Sequence, residues 1–418
     1  MRDLRDYTVI TGTYWAFTLT DGALRMLVLL FLYQQGHSPL AIASLFLFYE
    51  FFGVVTNLLA GWVGARFGLK STLFAGLALQ IVACSMLAGR AATLTISYVM
   101  VAQAMSGIAK DLTKMSSKSY LKLVVPAGDS SGLMKWVALL TGSKNTLKGM
   151  GFFLGGLLLT GLGFQGACLA MASFLLVALV VASTALPSAP GKASVKVSFR
   201  HLFSTDSRIN WLSAARLFLF GSRDVWFVLA LPIFLSSDLG WGHSQVGGFL
   251  ALWIIGYGFV QAVAPSYVGG WSRSLAKSPP NARRLGTWTT ALLLPLAGIA
   301  TALWLGVSSV STLTLGLGVF AVVFATSSAI HSYLILAYAE GDKVALRVGF
   351  YYMANAAGRL TGTVLSGAVF QAAGLGQSGL VACIAVSTVF VVVSAVLCVP
   401  LRLAERGSPE APAGVLPG

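Results

Sequence analysis

Seven basic residues (Arg25, Lys110, Lys144, Lys148, Arg216, Arg223, Arg359) and four acids (Asp21, Glu50, Asp111, Asp224) lie inside long apolar runs of the chain. A charge within a bilayer costs roughly 2.5–3.5 kcal/mol on insertion scales, so these side chains are expected to face a wet interior. Seven positive against four negative leaves +3, and a net positive, low-dielectric site favours an anion. Arginine adds a planar fork that grips phosphate-like oxyanions through paired N–H donors. Arg25, Lys110, Lys144, Lys148, Arg223 and Arg359 are therefore the candidate substrate-binding residues. Asp21, Glu50, Asp111 and Asp224 are the candidate coupling or gating residues.

Spacing refines each reading. Asp21 and Arg25 are four apart on one helix, so they either neutralise each other or form a gate. Arg223 and Asp224 are adjacent and diverge by about 100° on a helix, which predicts that they do not pair with each other. Lys144 and Lys148 share a helix face, with no acid on that span. Arg359 is the lone charge inside its span. Arg216 is near a span end and is expected to snorkel. Lys110, Lys114, Lys118 and Lys122 form an i, i+4 ladder whose last three members mark the inner membrane boundary. Glu50 either carries a proton or forms a salt bridge. His331 reads as a satisfied buried polar group, and aromatics such as Tyr49 read as packing.

The elements that position these charges follow from composition. Of 418 residues, 56% are hydrophobic and 10% charged, and the mean hydropathy is +0.81. A soluble domain carries about 25% charged residues, so a soluble enzyme, a disordered chain and a disulfide scaffold are excluded. An outer-membrane barrel needs alternating strands, whereas 379–401 is apolar on every side. Stretches long enough to cross a bilayer, about 20 residues, occur at 8–34, 39–65, 70–89, 93–113, 134–160, 164–186, 209–235, 244–267, 286–307, 311–338, 347–373 and 378–400. The fold class expected is an all-α integral membrane protein, with twelve transmembrane helices in two pseudo-symmetric six-helix bundles. The expected division is a first bundle at 1–186, a cytoplasmic linker at 187–208, a second bundle at 209–401 and a cytoplasmic tail at 402–418. Every third span lacks an interior charge and is expected at the periphery. The first apolar stretch carries Asp21 and Arg25 and does not read as a cleavable signal.

Loop Lys and Arg gather on one side of the membrane, including Arg66, Lys70, Lys114, Arg208, Arg283 and Arg402, while the other side carries Arg90. By the positive-inside rule both termini are cytoplasmic. The net charge of +15 is then mostly a topology signal rather than a nucleic-acid footprint. Gly36-His37-Ser38 recurs as Gly242-His243-Ser244, and Lys148, Gly151 and Gly156 align with Arg359, Gly362 and Gly367 at a shift of 211. This is the pattern of a duplicated six-helix unit. Cys84, Cys168, Cys383 and Cys398 are dispersed in apolar runs, and no CxxC or HExxH occurs. No metal, no cofactor and no nucleophile–base constellation is indicated, so the chain does not read as an enzyme.

Gly61 to Lys70, with Gly61, Arg66, Gly68 and Lys70 in register, resembles the loop motif of major facilitator transporters. Ala65 stands where that motif has an acid and Leu69 where it has a basic residue. Gly142, Gly151 and Gly155 resemble the start of that superfamily's antiporter motif, with Gly156 at the position of its proline. The runs 14–27, 45–57, 106–112 and 139–149 resemble the ArsJ family of organoarsenical efflux permeases, and the likeness extends over essentially the whole chain. That resemblance implies export of 1-arseno-3-phosphoglycerate by alternating access across the lipid bilayer of a bacterial inner membrane, conferring arsenate resistance. The ester is made from arsenate by a glyceraldehyde-3-phosphate dehydrogenase, a metabolic partner. Such a small polyanion suits the +3 interior. Carriers of other organophosphate anions and proton-coupled drug antiporters share the fold and stay open on the residues alone.

Overall fold

The computed structural model describes residues 2–35, 49, 51–57, 59, 62–64, 66–125, 129–186, 204–241, 243–268, 279–339 and 344–407. Glu50 and Gly61 lie outside the described residues, as do the first copy of the Gly-His-Ser repeat and the linker at 187–203. The described elements are helices: α1 (Arg2–Gln34), α2 (Leu69–Gly89), α3 (Ile96–Val124), α4 (Ser130–Ala185), α5 (Ser207–Phe227), α6 (Ala230–Ser237), α7 (His243–Val263), α8 (Pro265–Val268), α9 (Ala282–Ala291), α10 (Leu293–Trp304), α11 (Ser309–Tyr338), α12 (Val344–Ala372) and α13 (Gly376–Arg406). Seven helical segments among them are long and apolar enough to cross a membrane. Exposed apolar side chains run along them at helical spacing, as at Leu176, Val177, Val180 and Val181, and at Val389, Val392, Val396 and Val399. Stripes of that extent on a folded surface belong against lipid.

The expected fifth and sixth spans are two helices within α4, divided at Gly163, at φ 65° and ψ 177°, a conformation open to glycine alone without strain. Two other expected spans differ in detail, each for a local reason. The seventh breaks into α5 and α6 at Val228 and Leu229. The N–H groups that the break exposes, on Leu229 and Ala230, donate to Ser366 Oγ at 3.3 and 3.2 Å. The ninth divides into α9 and α10 at Leu292, three residues before Pro295, which brings no N–H to continue the ladder. The sequence pattern shows the seventh and ninth each as one apolar run, because a break within apolar residues leaves no polar signature.

The chain forms two compact units. One comprises Met1–Ala127, Ser143–Phe203 and Ala339–Met353. In it α2 and α3 run antiparallel, tied at one end by Ser116 Oγ donating to the Leu69 carbonyl at 2.5 Å and at the other by Tyr98 OH donating to the Met86 carbonyl at 2.9 Å. α1 crosses α4 backbone to backbone. A methyl group on Gly22 would lie 2.6 Å from the Lys148 carbonyl oxygen, and one on Gly151 2.5 Å from that of Leu19.

The second unit comprises Gly128–Gly142, Ser204–Tyr338 and Ala354–Gly418. Its core is an aromatic cluster of Phe220, Trp226, Trp253, Tyr257, Phe320 and Phe324. The Trp253 indole donates to the Leu317 carbonyl at 2.9 Å, as a buried indole must find an acceptor. Here α5 crosses α12 as closely as α1 crosses α4. A methyl on Gly358 would collide with the Leu217 carbonyl, and one on Gly362 would lie 2.7 Å from that of Gly221. A methyl on Gly151 would also lie 3.0 Å from Gly22 Cα, and one on Gly362 3.2 Å from Gly221 Cα, contacts that sit at the same 211 shift as Lys148 and Arg359.

Candidate functional site

In the first unit the expected charges converge on an aromatic expected only to pack. Tyr49 is fully buried. The Arg25 guanidinium carbon lies 3.7 Å from its ring centroid, and the Lys110 ammonium also lies at 3.7 Å. The phenol donates to Asp21 Oδ1 at 3.1 Å. A cation on an aromatic face is worth about 0.5–2 kcal/mol, more when desolvated. Donation to a carboxylate pushes electron density into the ring, which both cations then feel. Gly107 makes room, since a methyl there would stand 3.2 Å from the Tyr49 ring. Asp21 and Arg25 therefore share a partner, Tyr49, besides their i, i+4 spacing.

One turn along α3, Asp111 is buried, ion-paired to Lys114 at 2.7 Å and accepting from Thr56 Oγ1 at 3.1 Å. Lys118 corrects the expectation that it marks the membrane boundary. It is 3% exposed, and its ammonium donates to the Tyr352 hydroxyl. Lys114 and Lys118 each lie 4.7 Å from the Tyr352 ring centroid. The described charges here are Arg25, Lys110, Lys114 and Lys118 against Asp21 and Asp111, four cations to two carboxylates. Lys144 and Lys148, one turn apart on α4, are half-buried, and the Lys148 carbonyl packs on Gly22.

The second unit overturns the expectation that Arg223 and Asp224 point apart. Arg223 reaches Asp224 Oδ1 through Nε at 2.6 Å and Nη2 at 2.5 Å. Adjacent Cβ atoms do diverge, but an arginine is long enough to fold back, and a fully buried carboxylate makes the detour favourable. Arg359 Nε binds the other oxygen of Asp224 at 3.1 Å.

Arg216, expected to snorkel, is instead 3% exposed. It donates to Asn355 Oδ1 at 2.8 Å and Ser328 Oγ at 3.1 Å, and its guanidinium carbon lies 3.8 Å from the Phe220 ring centroid. Gln261 donates to the same Ser328 hydroxyl at 3.1 Å. Thr326, Ser327, Ser328, His331 and Ser332 are all buried on α11. The sequence carries a signal for this polar seam, since these five polar residues fall within one short stretch of an otherwise apolar span.

The loop motif serves a structural purpose at its described positions. Gly68 has φ 92° at the start of α2. Arg66 lies over Trp62 at 5.1 Å and Phe67 at 5.6 Å. With Ala65 in place of an acid, these aromatic faces supply its described contacts. Lys70 Nζ donates to the Leu186 carbonyl at 2.5 Å, just past the C-terminus of α4, where a cation complements the exposed carbonyls. Among the described residues no group of three or more His, Cys, Asp or Glu could hold a metal.

Two charge clusters thus lie on an apolar helical frame, and comparison decides the family. Residues 10–330 match the profile of the Major Facilitator Superfamily. The chain belongs to this family. It has the superfamily's all-helical fold and is a multi-pass membrane transporter. No curated protein matches its sequence. Solved structures with the same fold include an outward-facing bacterial homologue of the iron transporter ferroportin, 15% identical over 95% of this chain and 99% of that one, with a TM-score of 0.71. The human organic anion transporter MFSD10 is 16% identical over 95% of this chain and 99% of its own, at 0.70. A point variant of the E. coli fucose:proton symporter FucP is 13% identical over 93% of this chain and 98% of its own, at 0.68.

Proposed function

We propose that this major facilitator protein exports a small organic oxyanion, 1-arseno-3-phosphoglycerate, by alternating access from the cytoplasm of a bacterium. It acts in arsenate resistance together with a phosphorylating glyceraldehyde-3-phosphate dehydrogenase that makes the ester. The observation that carries the reading is that two cations gather on one partner in each unit. Arg25 and Lys110 share the ring of Tyr49, whose hydroxyl donates to Asp21, and Arg223 and Arg359 share Asp224. Such groups bind oxyanions by charge and by directed N–H donors, and their mutual repulsion falls when an anion arrives. A ligand shifts a conformational equilibrium only by such differential affinity. The four cysteines are buried and dispersed, which disfavours a trivalent arsenic cargo, for which clustered thiolates would be the ligands. The identity of the ester rests on the resemblance to ArsJ permeases.

The test is arsenate tolerance of a bacterial host lacking arsenic efflux. The chain is expressed with and without the dehydrogenase, as wild type and as Arg25→Ala, Lys148→Ala and Arg359→Ala. Tolerance that needs both proteins and is lost in the variants supports the reading. No protection despite membrane expression rejects this cargo and leaves a carrier of another organophosphate or a proton-coupled drug antiporter.

A further inference from the structure

We infer that Asp224 is a built-in counter-anion that competes with the transported oxyanion for Arg223 and Arg359, and so limits how tightly this site holds its cargo. The inference rests on the anion-carrier reading. Both oxygens of Asp224 are engaged, Oδ1 by two donors of Arg223 at 2.6 and 2.5 Å and Oδ2 by Arg359 at 3.1 Å. A carboxylate gripped by a guanidinium fork on one oxygen and a second guanidinium on the other is the arrangement of a bound oxyanion, here satisfied from within the chain. Accessibility is unequal. The carboxylate side chain is 1% exposed, but Arg223 keeps 14% and Arg359 24%. An arriving phosphate-type group meets the guanidiniums first and the carboxylate behind them.

The backbone leaves the exchange to side chains. Arg223 and Asp224 are consecutive on α5, and Arg359 is on α12. The two helices are held at contact by Gly221, Gly358 and Gly362, and a methyl on Gly362 would lie 2.9 Å from Asp224 Cβ. With the helices fixed, rotation of Arg223 and Arg359 away from Asp224 is the route by which an external anion takes its place. A polyanionic ester attracts two cations more strongly than a single carboxylate does. After release, Asp224 closes the pair again, which compensates one of the two positive charges in the empty carrier.

A plain structural ion pair predicts the opposite behaviour on mutation, so the two are separable. The experiment measures 3-phosphoglycerate binding by calorimetry, and its effect on melting temperature, with the full chain in lipid nanodiscs. Asp224→Asn keeps the shape and removes the competitor. It is expected to bind 3-phosphoglycerate about tenfold or more tighter than wild type, as expected when a competing charge-assisted contact is removed. Its melting temperature, lowered without ligand, is expected to recover with it. Arg359→Gln is expected to bind about tenfold more weakly, and Asp224→Asn combined with Arg359→Gln is expected to lose most of the gain. Where Asp224→Asn is too unstable to purify alone, purification in 3-phosphoglycerate supplies the readout, since ligand-dependent recovery is the same prediction. Unchanged or weaker binding by Asp224→Asn, or a stability loss that ligand does not restore, overturns the competitor role while leaving the anion reading intact. No binding by wild type or any variant overturns both.

Discussion

Arg359 and Asp224, 135 residues apart in the chain, meet at 3.1 Å between Nε and Oδ2. The carboxylate is simultaneously held by its neighbour Arg223, so one buried acid compensates two arginines and leaves a positive remainder. The first unit repeats that arrangement with different parts. Tyr49 takes two cations on its ring and passes its hydroxyl to Asp21.

Tyr49 gives the first prediction. Tyr49→Leu removes the ring that both cations share, and at about 0.5–2 kcal/mol per cation the KM for ester transport should rise roughly tenfold. Tyr49→Phe retains the ring and loses only the bond to Asp21, worth about 0.5–1.5 kcal/mol, so its KM should rise less. Equal defects in the two variants would show that the hydroxyl, not the ring, is what matters.

The glycine crossings predict a stability phenotype. Gly358→Val should abolish the monodisperse protein seen by size-exclusion chromatography in detergent, because its side chain meets the Leu217 backbone. Gly298→Ala, with open space around it, should be neutral. Overpacking in a tight interface costs about 1–3 kcal/mol or more, so a well-behaved Gly358→Val would refute the close crossing.

Lys70 joins the start of α2 to the chain just after α4 through the Leu186 carbonyl. Lys70→Met keeps the stem and removes the donor. A charged donor's hydrogen bond contributes about 1.5–3 kcal/mol, so its melting temperature should fall by several degrees. Arg66→Lys keeps the charge but loses planar stacking on Trp62 and Phe67, and the fall should be smaller. A larger fall for Arg66→Lys would reverse the assigned ranking.

The cysteines should be dispensable. All four are buried, so a thiol-reactive maleimide should label the folded protein only after denaturation. A variant with Ser or Ala at Cys84, Cys168, Cys383 and Cys398 should keep its arsenate tolerance. Loss of tolerance in a variant that still reaches the membrane would point to thiolate chemistry.

Much of this is legible in the apolar runs and the charges within them, since lipid makes an uncompensated charge costly enough to stand out. Asp21, Arg25, Lys110, Asp224 and Arg359 stand out in that way, and the structure gathers the first three at Tyr49 and the last two in an ion pair. Partner choice is not legible. Helical angles place Arg223 and Asp224 apart, yet the length of arginine closes the gap. Arg216 and Lys118 read as boundary residues by position, whereas burial among Asn355, Ser328 and Tyr352 is a tertiary fact. Tyr49 reads as packing because an aromatic in an apolar run carries no signal of the cations it will meet.

The most direct measurement uses everted membrane vesicles containing the protein. They are supplied outside with the dehydrogenase, its nicotinamide cofactor, glyceraldehyde 3-phosphate and radiolabelled arsenate. Arsenate label should accumulate inside only when the dehydrogenase and the transporter are both present, and Arg25→Ala and Arg359→Ala should abolish it. Accumulation without the dehydrogenase, or none above vesicles lacking the transporter, would contradict export of the arseno-ester.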